Sequence, residues 1–360
     1  MNILIDIGHP AHVHLFKNFA REMINRGHKI MFTCRDKEFE IVLLEHYGFE
    51  YKSFGKKYKS TAGKLLGMII FDIKEFITGL KFKPDVLLSH GSIYAAHASF
   101  FLRKPHISFE DTFNFEQIRL YKPFTDAILI GSYGNPLSKD KKAIKYKGFH
   151  ELAYLHPKWF KPDINVFKEL DLNNNDKYII LRFVSWNASH DLGHDGLTLS
   201  DKLNIVKSLS NYAKVFISLE SYLPEELEAY RLKINPEKMH DAIAFSSLLI
   251  GESSTMSEEA AMLGVPSIYF FNKGTIYTNY IENKYKLIYN YNESKIDIER
   301  GLAKAIEILT NNKEDNWSSK KDKLLRESID VTSFYIWFIE NYPESKKIMQ
   351  ENPGYQERFK

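Results

Sequence analysis

The sequence predicts an α/β protein made of two successive domains, each a parallel sheet covered by helices on both faces. Three observations predict it. The chain has 360 residues, more than a single hydrophobic core usually serves. Short β-rich runs alternate with helical patterns, and the strands are apolar throughout, as strands buried on both faces must be. The alternation breaks between His150 and Lys177 and then starts again.

Taken in order, residues 2–7 read as a strand and 12–26 as a helix with Val13, Phe16, Ala20 and Met23 on one stripe. Gly27 stands where a helix commonly ends. A strand over 28–34, a helix over 38–47, a strand over 49–54 and a long helical stretch over 64–80 follow. Further strands are expected at 85–89, 105–109 and 127–130, which completes an N-terminal domain over 1–155. Residues 156–176 carry Pro157, Pro162 and the run Asn173-Asn174-Asn175-Asp176, the composition of a linker. The second domain, 177–328, restarts with strands at 178–183, 214–219, 247–250 and 267–271. The remainder, 329–360, is expected to be helical and aromatic-rich, packing back on the first domain.

Composition narrows the function classes. Apolar residues make up 44% and charged residues 26%, ordinary for a soluble globular protein. A net charge of +3 with scattered lysines gives no footprint for nucleic acid. The single cysteine, Cys34, excludes an internal disulfide and fits a reducing cytoplasm. The opening Met1-Asn2-Ile3-Leu4-Ile5-Asp6 is too short for a signal peptide, and no run is long enough to span a bilayer. A cytoplasmic protein is expected, with an option of peripheral contact at the inner membrane face.

In doubly wound sheets ligands bind beyond the carboxyl ends of strands, where loops enter helices. The most informative loop is Ile250-Gly251-Glu252-Ser253-Ser254-Thr255-Met256-Ser257-Glu258-Glu259-Ala260-Ala261-Met262-Leu263-Gly264-Val265-Pro266. Its helix N-terminus would present unpaired N–H groups to a diphosphate, with Ser253, Ser254 and Thr255 as added donors. A carboxylate one turn further on, Glu258 or Glu259, can accept hydrogen bonds from ribose hydroxyls. The plainer alternative is a capping box, with Ser or Thr at the N-cap and Glu three residues later.

This segment resembles the nucleotide-sugar loop of the GT-B superfamily, as in non-hydrolysing UDP-N-acetylglucosamine 2-epimerases and the peptidoglycan N-acetylglucosaminyltransferase. Closer still is the resemblance to a prokaryotic domain-of-unknown-function family, DUF354. It is carried by Pro10-Ala11-His12-Val13-His14-Leu15-Phe16, by Ser254-Thr255-Met256-Ser257-Glu258-Glu259-Ala260-Ala261 and by Arg182-Phe183-Val184-Ser185-Trp186-Asn187-Ala188-Ser189-His190-Asp191. It spans nearly the whole chain. The resemblance implies a GT-B architecture, two Rossmann-like parallel-sheet domains facing a cleft. It implies a ribose-binding role for Glu259 and a diphosphate loop at Ser253, Ser254 and Thr255.

Three other loops offer candidates. After the first strand, Gly8-His9-Pro10-Ala11-His12-Val13-His14 presents His9, an imidazole able to take a hydroxyl proton near neutral pH. The His-x-x-His-x-His spacing also fits a metal site, but with no carboxylate close by the reading without metal is preferred. After 105–109 come Glu110 and Asp111, adjacent acids of which one can serve as a base and the other as a helix N-cap. Arg182, Ser185 and Asn187 follow the first strand of the second domain and suit phosphate or sugar, with a buried ion pair as the alternative for Arg182.

Compared with the epimerase-like pattern, His90-Gly91-Ser92-Ile93 lacks an acid, and Phe183-Val184 stand where a His-Arg pair is expected. Glycosyl transfer asks for less: a donor site, stabilisation of the leaving diphosphate and one base. The expected activity is therefore an inverting, metal-independent glycosyltransferase of surface polysaccharide or glycoconjugate synthesis. It would use a UDP-sugar as co-substrate, no cofactor, and a sugar or lipid-linked acceptor. An epimerase-like enzyme and a non-catalytic nucleotide-sugar-binding protein remain alternatives. Lysines and apolar residues over 56–83 allow contact with an anionic bilayer, though a core-facing helix with a solvated lysine edge is the preferred reading of that stretch.

Overall fold

The computed structural model describes the whole chain except residues 37, 57–60, 135, 185–195, 220–222, 272–273 and 312–315, and the side chains of 61, 62, 64 and 65. Internal contacts divide it into two units, Met1–Trp159 with Ser328–Lys360, and Phe160–Glu327.

Among its described residues the first unit holds seven strands: β1 (Asn2–Asp6), β2 (Lys29–Asp36), β3 (Tyr51–Lys56), β4 (Val86–His90), β5 (His106–Phe109), β6 (Ala127–Gly131) and β7 (Ala143–Tyr146). They lie in the order β3-β2-β1-β4-β5-β6-β7, every neighbouring pair parallel. The chain winds outward from β1 to β3, then returns to place β4 on the other side of β1. That reversal between β1 and β4 is a switch point, where the carboxyl ends of a parallel sheet leave room for a ligand. Strands such as Ile3-Leu4-Ile5 and Ala127-Ile128-Leu129-Ile130 are wholly buried, which is why they read as continuous apolar runs.

The C-terminal residues complete this unit. The helix Val331–Glu340 buries Phe334, Tyr335 and Phe338 and packs on the helix Pro10–Asn25. The Tyr335 ring lies edge-on to Phe109 of β5 at 4.7 Å.

The second unit has β8 (Tyr178–Phe183), β9 (Lys214–Leu219), β10 (Leu248–Gly251), β11 (Ser267–Phe270) and β12 (Ile288–Tyr291), in the order β12-β11-β10-β8-β9. All of its pairs are parallel. Its switch point lies between β8 and β10. Val166, Phe167 and Leu170, from the stretch the sequence offers as a linker, are buried in this unit's core with Tyr178, Ile180 and Leu249.

The helix Thr61–Phe82 differs from the preferred sequence reading. Phe71 and Glu75 face inward, but Leu66, Ile69, Ile73, Ile77 and Leu80 are 44–56% exposed. Their spacing of three and four residues puts them on one face. Phe100 and Phe101 of the neighbouring helix Ile93–Leu102 are also exposed. Among the described residues no helix is long and apolar enough to cross a membrane.

Candidate functional site

In the second unit the switch point is shaped by Gly251. It ends β10 beside Arg182 of β8, and a Cβ on it would fall 1.9 Å from the Arg182 carbonyl oxygen. Only glycine allows the two strands to sit this close. The next residue, Glu252, is buried and accepts hydrogen bonds from the backbone N–H of Val184 at 3.2 Å and of Leu197 at 2.6 Å. It thereby ties down both flanks of the segment carrying Ser185, Trp186 and Asn187, which itself lies outside the described residues.

Ser253 is the N-cap of the helix Ser254–Leu263, its hydroxyl accepting from Met256 N. The third helical residue is Met256, so the capping box weighed in the sequence does not form. Ser253, Ser254 and Thr255 are half-buried at the helix entrance. Glu258 and Glu259 lie about one turn further on and are both buried. The carboxylate of Glu259 meets Nε2 of the buried His240 at 2.9 Å, a pairing that no sequence motif marks. Arg182 donates to the Ser218 hydroxyl of β9 at 3.0 Å.

In the first unit Asp6, at the end of β1, is the hub. It accepts hydrogen bonds from Thr33 at 2.9 Å, from Arg35 and from Ser92. This fixes the ends of β1 and β2 against the turn after β4. His9 caps the helix Pro10–Asn25, Nδ1 accepting from Ala11 N at 3.2 Å, with Nε2 3.6 Å from Glu38. At 43% exposure its side chain is the most open of the proposed bases. His12 accepts from Gly8 N at 3.2 Å and stacks on His90, ring centroids 4.4 Å apart. His14 lies instead against Tyr47 and Tyr154, so the three histidines of the motif do not converge on one point.

The adjacent acids have separate fates. Glu110 is buried. Its Oε1 accepts from Thr112 N, Thr112 Oγ1 and Phe113 N, and its Oε2 from the Tyr121 phenol at 2.6 Å. Asp111 meets His90 Nε2 at 2.8 Å. It is not the N-cap of the following helix; Asn114 is. Burial alone would lower the pKa of His90, but the charge and hydrogen bond of Asp111 raise it to about 9. Asp111 is held below the usual carboxylate range, His90 and His150 outweighing the effect of its burial. At neutral pH this is an imidazolium–carboxylate pair. His150, beyond β7, is pushed down to about 4 by burial and stays neutral. Its ring lies edge-on to His90, centroids 5.5 Å apart. In the sequence His90 reads only as part of a turn and His150 carries no role, since residues 60 positions apart become neighbours only through the strand order.

A protein of Methanocaldococcus jannaschii that carries no assigned function is 26% identical over 284 residues, 74% of this chain and 81% of that protein. The structure of UDP-GlcNAc 2-epimerase from Neisseria meningitidis, bound to UDP-GlcNAc, superposes with a TM-score of 0.65 at 15% identity, covering 95% of this chain and all of the other. The kitacinnamycin glycotransferase superposes with a TM-score of 0.58 at 13% identity, covering 94% and 98%. At such identities the likeness shows a shared GT-B-like α/β fold. The model of a protein family of unknown function, DUF354, matches residues 1–335; the chain is therefore a member of the DUF354 family.

Proposed function

We propose that this protein transfers a sugar from a nucleoside-diphosphate sugar, UDP-linked by preference, to a hydroxyl of a sugar or lipid-linked acceptor in surface polysaccharide or glycoconjugate synthesis. The observation that carries this reading is the entrance of the helix Ser254–Leu263. Three half-buried hydroxyls, Ser253, Ser254 and Thr255, stand at a helix N-terminus at the switch point of the second sheet. Two buried carboxylates follow one turn on. Free N–H groups and the helix dipole suit a diphosphate, and the solved structures of like fold include one bound to UDP-GlcNAc.

The residues then divide the work. Ser253, Ser254, Thr255 and the helix N–H groups bind the diphosphate, with Arg182, Ser185 and Asn187 adding donors. Glu259, with Glu258 beside it, receives the ribose hydroxyls. In the first unit His9 is the preferred base because its imidazole is open to solvent. Glu110, saturated by its hydrogen bonds, and Asp111, committed to His90, position the acceptor loop. The acceptor hydroxyl loses its proton to His9 as its oxygen bonds to the anomeric carbon. The bond from that carbon to the diphosphate breaks, and the nucleoside diphosphate leaves with inversion and with no metal on its phosphates. Transfer is favoured over epimerisation because Ser92, in place of the epimerase-like acid, caps the helix Ile93–Leu102 and bonds Asp6.

A panel of nucleotides and nucleotide sugars, read by thermal shift, tests the donor site. A UDP-sugar at a hundred times its Kd should stabilise the protein by about 2.7 kcal/mol, and Glu259→Gln should abolish the shift. Stabilisation unchanged in that variant would remove Glu259 from the donor site. Product analysis with the bound sugar then separates transfer from epimerisation.

The acceptor is proposed to be lipid-linked, supported by the exposed face of Leu66, Ile69, Ile73, Ile77 and Leu80 with exposed Lys81, Lys83 and Lys104 nearby in sequence or on the adjoining helix end. Exposed apolar side chains with cations at one end suit an anionic bilayer surface. Wild-type protein should sediment with anionic vesicles, and Ile69→Ser/Ile73→Ser/Ile77→Ser should not. Equal recovery of both in the supernatant would exclude the contact.

A further inference from the structure

We infer that His90, Asp111 and His150 form a binding site for one divalent transition-metal ion, zinc by preference, within the first unit. One donor atom from each residue lies within 4.8 Å of the other two. The three come from separate parts of the sheet: His90 ends β4, Asp111 follows β5, and His150 follows β7. Their meeting is a property of the fold rather than of local sequence.

A second, independent observation points to a ligand. His150 is 5% exposed, and its Nε2 has no hydrogen-bond partner. A buried polar atom left unpaired costs free energy that a ligand would recover. Its other nitrogen is fixed: Nδ1 meets the Tyr146 phenol at 2.7 Å, and Tyr335 donates to that phenol at 2.8 Å. A hydrogen bond at one imidazole nitrogen decides that the other coordinates, and such outer partners orient metal-bound histidines. His90 Nε2 and Asp111 Oδ1, now 2.8 Å apart, would both turn toward the ion in place of each other.

Two imidazoles and a carboxylate select borderline metals over calcium or magnesium, which prefer all-oxygen sets. Three protein ligands leave one position of a tetrahedral ion for water or a substrate oxygen. Tetrahedral zinc with bonds of about 2.0 Å needs its ligand atoms roughly 3.3 Å apart, so the triad closes by side-chain rotation on binding. The triad belongs to the first unit and the donor loop to the second, and the proposal leaves the metal-free reading of the diphosphate unchanged.

The test uses full-length protein without an affinity tag or nucleotide, so its outcome is independent of the donor-site reading. Zinc is titrated calorimetrically, and cobalt binding is followed by its visible absorption. One equivalent should bind the wild type. His150→Gln and Asp111→Asn should each weaken binding at least about 100-fold, and Tyr146→Phe, which keeps the ligands but frees the His150 ring, about 10- to 100-fold. His97→Gln, a variant of a histidine paired elsewhere with Asp72, should bind as wild type. Absence of binding to the wild type would overturn the proposal, as would unchanged affinity in Tyr146→Phe together with either ligand variant. Should the ligand variants fail to fold, a wild-type cobalt spectrum lacking tetrahedral character, with Tyr146→Phe unaltered, overturns it equally.

Discussion

His106 should make the protein lose stability in mild acid. It opens β5 with no exposed surface, and both ring nitrogens are engaged, Nε2 with the Ser89 hydroxyl at 2.9 Å and Nδ1 with the Thr125 hydroxyl at 2.8 Å. Burial pushes its pKa down to about 3, against about 6.5 in an unfolded chain. Between those values the unfolded state holds a proton that the native state refuses. Stability therefore rises with pH across that window and falls as pH drops through 6.5. At pH 5 the loss from this one group is about 2 kcal/mol relative to pH 7.5, and any folded pKa below about 4 gives nearly the same figure. Urea unfolding of wild type and His106→Gln at pH 7.5, 6 and 5 measures it. The wild type should lose about 2 kcal/mol more than the variant over this range. His150 contributes equally to both proteins and cancels in the difference. Parallel pH dependences in the two would refute the reasoning, and so would an NMR titration showing His106 protonated in the folded protein at pH 5.

Gly251→Ala would set a methyl group on the Arg182 carbonyl; because the obstacle is backbone, it should cost about 3 kcal/mol or more, seen as a lowered melting temperature and weaker nucleotide binding. Tyr121→Phe removes one of the four donors to the buried Glu110 and should destabilise by about 1–3 kcal/mol in chemical denaturation, with no effect on nucleotide binding in the second unit.

The sheet strands with unbroken apolar runs were legible because both faces of a parallel sheet are buried. Two strands were not. In β7 only Ile144 and Tyr146 are buried while Lys145 is exposed, so this edge strand has no run to read. In β12 three of the four residues are half-buried, and it reads like a loop. The helix Thr61–Phe82 was legible as a helix but not in its orientation, because apolar residues surround it and periodicity does not choose a face. The chemistry divided along similar lines. Loops at strand ends were identifiable from sequence, since polar residues cluster there. The partnerships of His90 with Asp111 and of Glu259 with His240 were not, because each joins residues brought together by strand order or helix packing. The ready satisfaction of Glu110 by its own turn was equally hidden, since only the folded loop aims Thr112, Phe113 and Tyr121 at one carboxylate.

The discontinuous first unit has a consequence for biosynthesis. Met1–Trp159 emerges from the ribosome before the stretch that supplies Phe334, Tyr335 and Phe338 to its core. The intervening second unit, about 170 residues, takes roughly 8–34 s to translate at typical elongation rates. During that interval Phe109 and Tyr146 lack the aromatic ring that later covers them. The nascent first unit thus waits with an uncovered apolar surface while its successor, contiguous in the chain, has every residue it needs. Chaperone engagement should concentrate in that window, and a chain truncated after residue 327 and released from the ribosome should carry a folded second unit beside an incomplete first one.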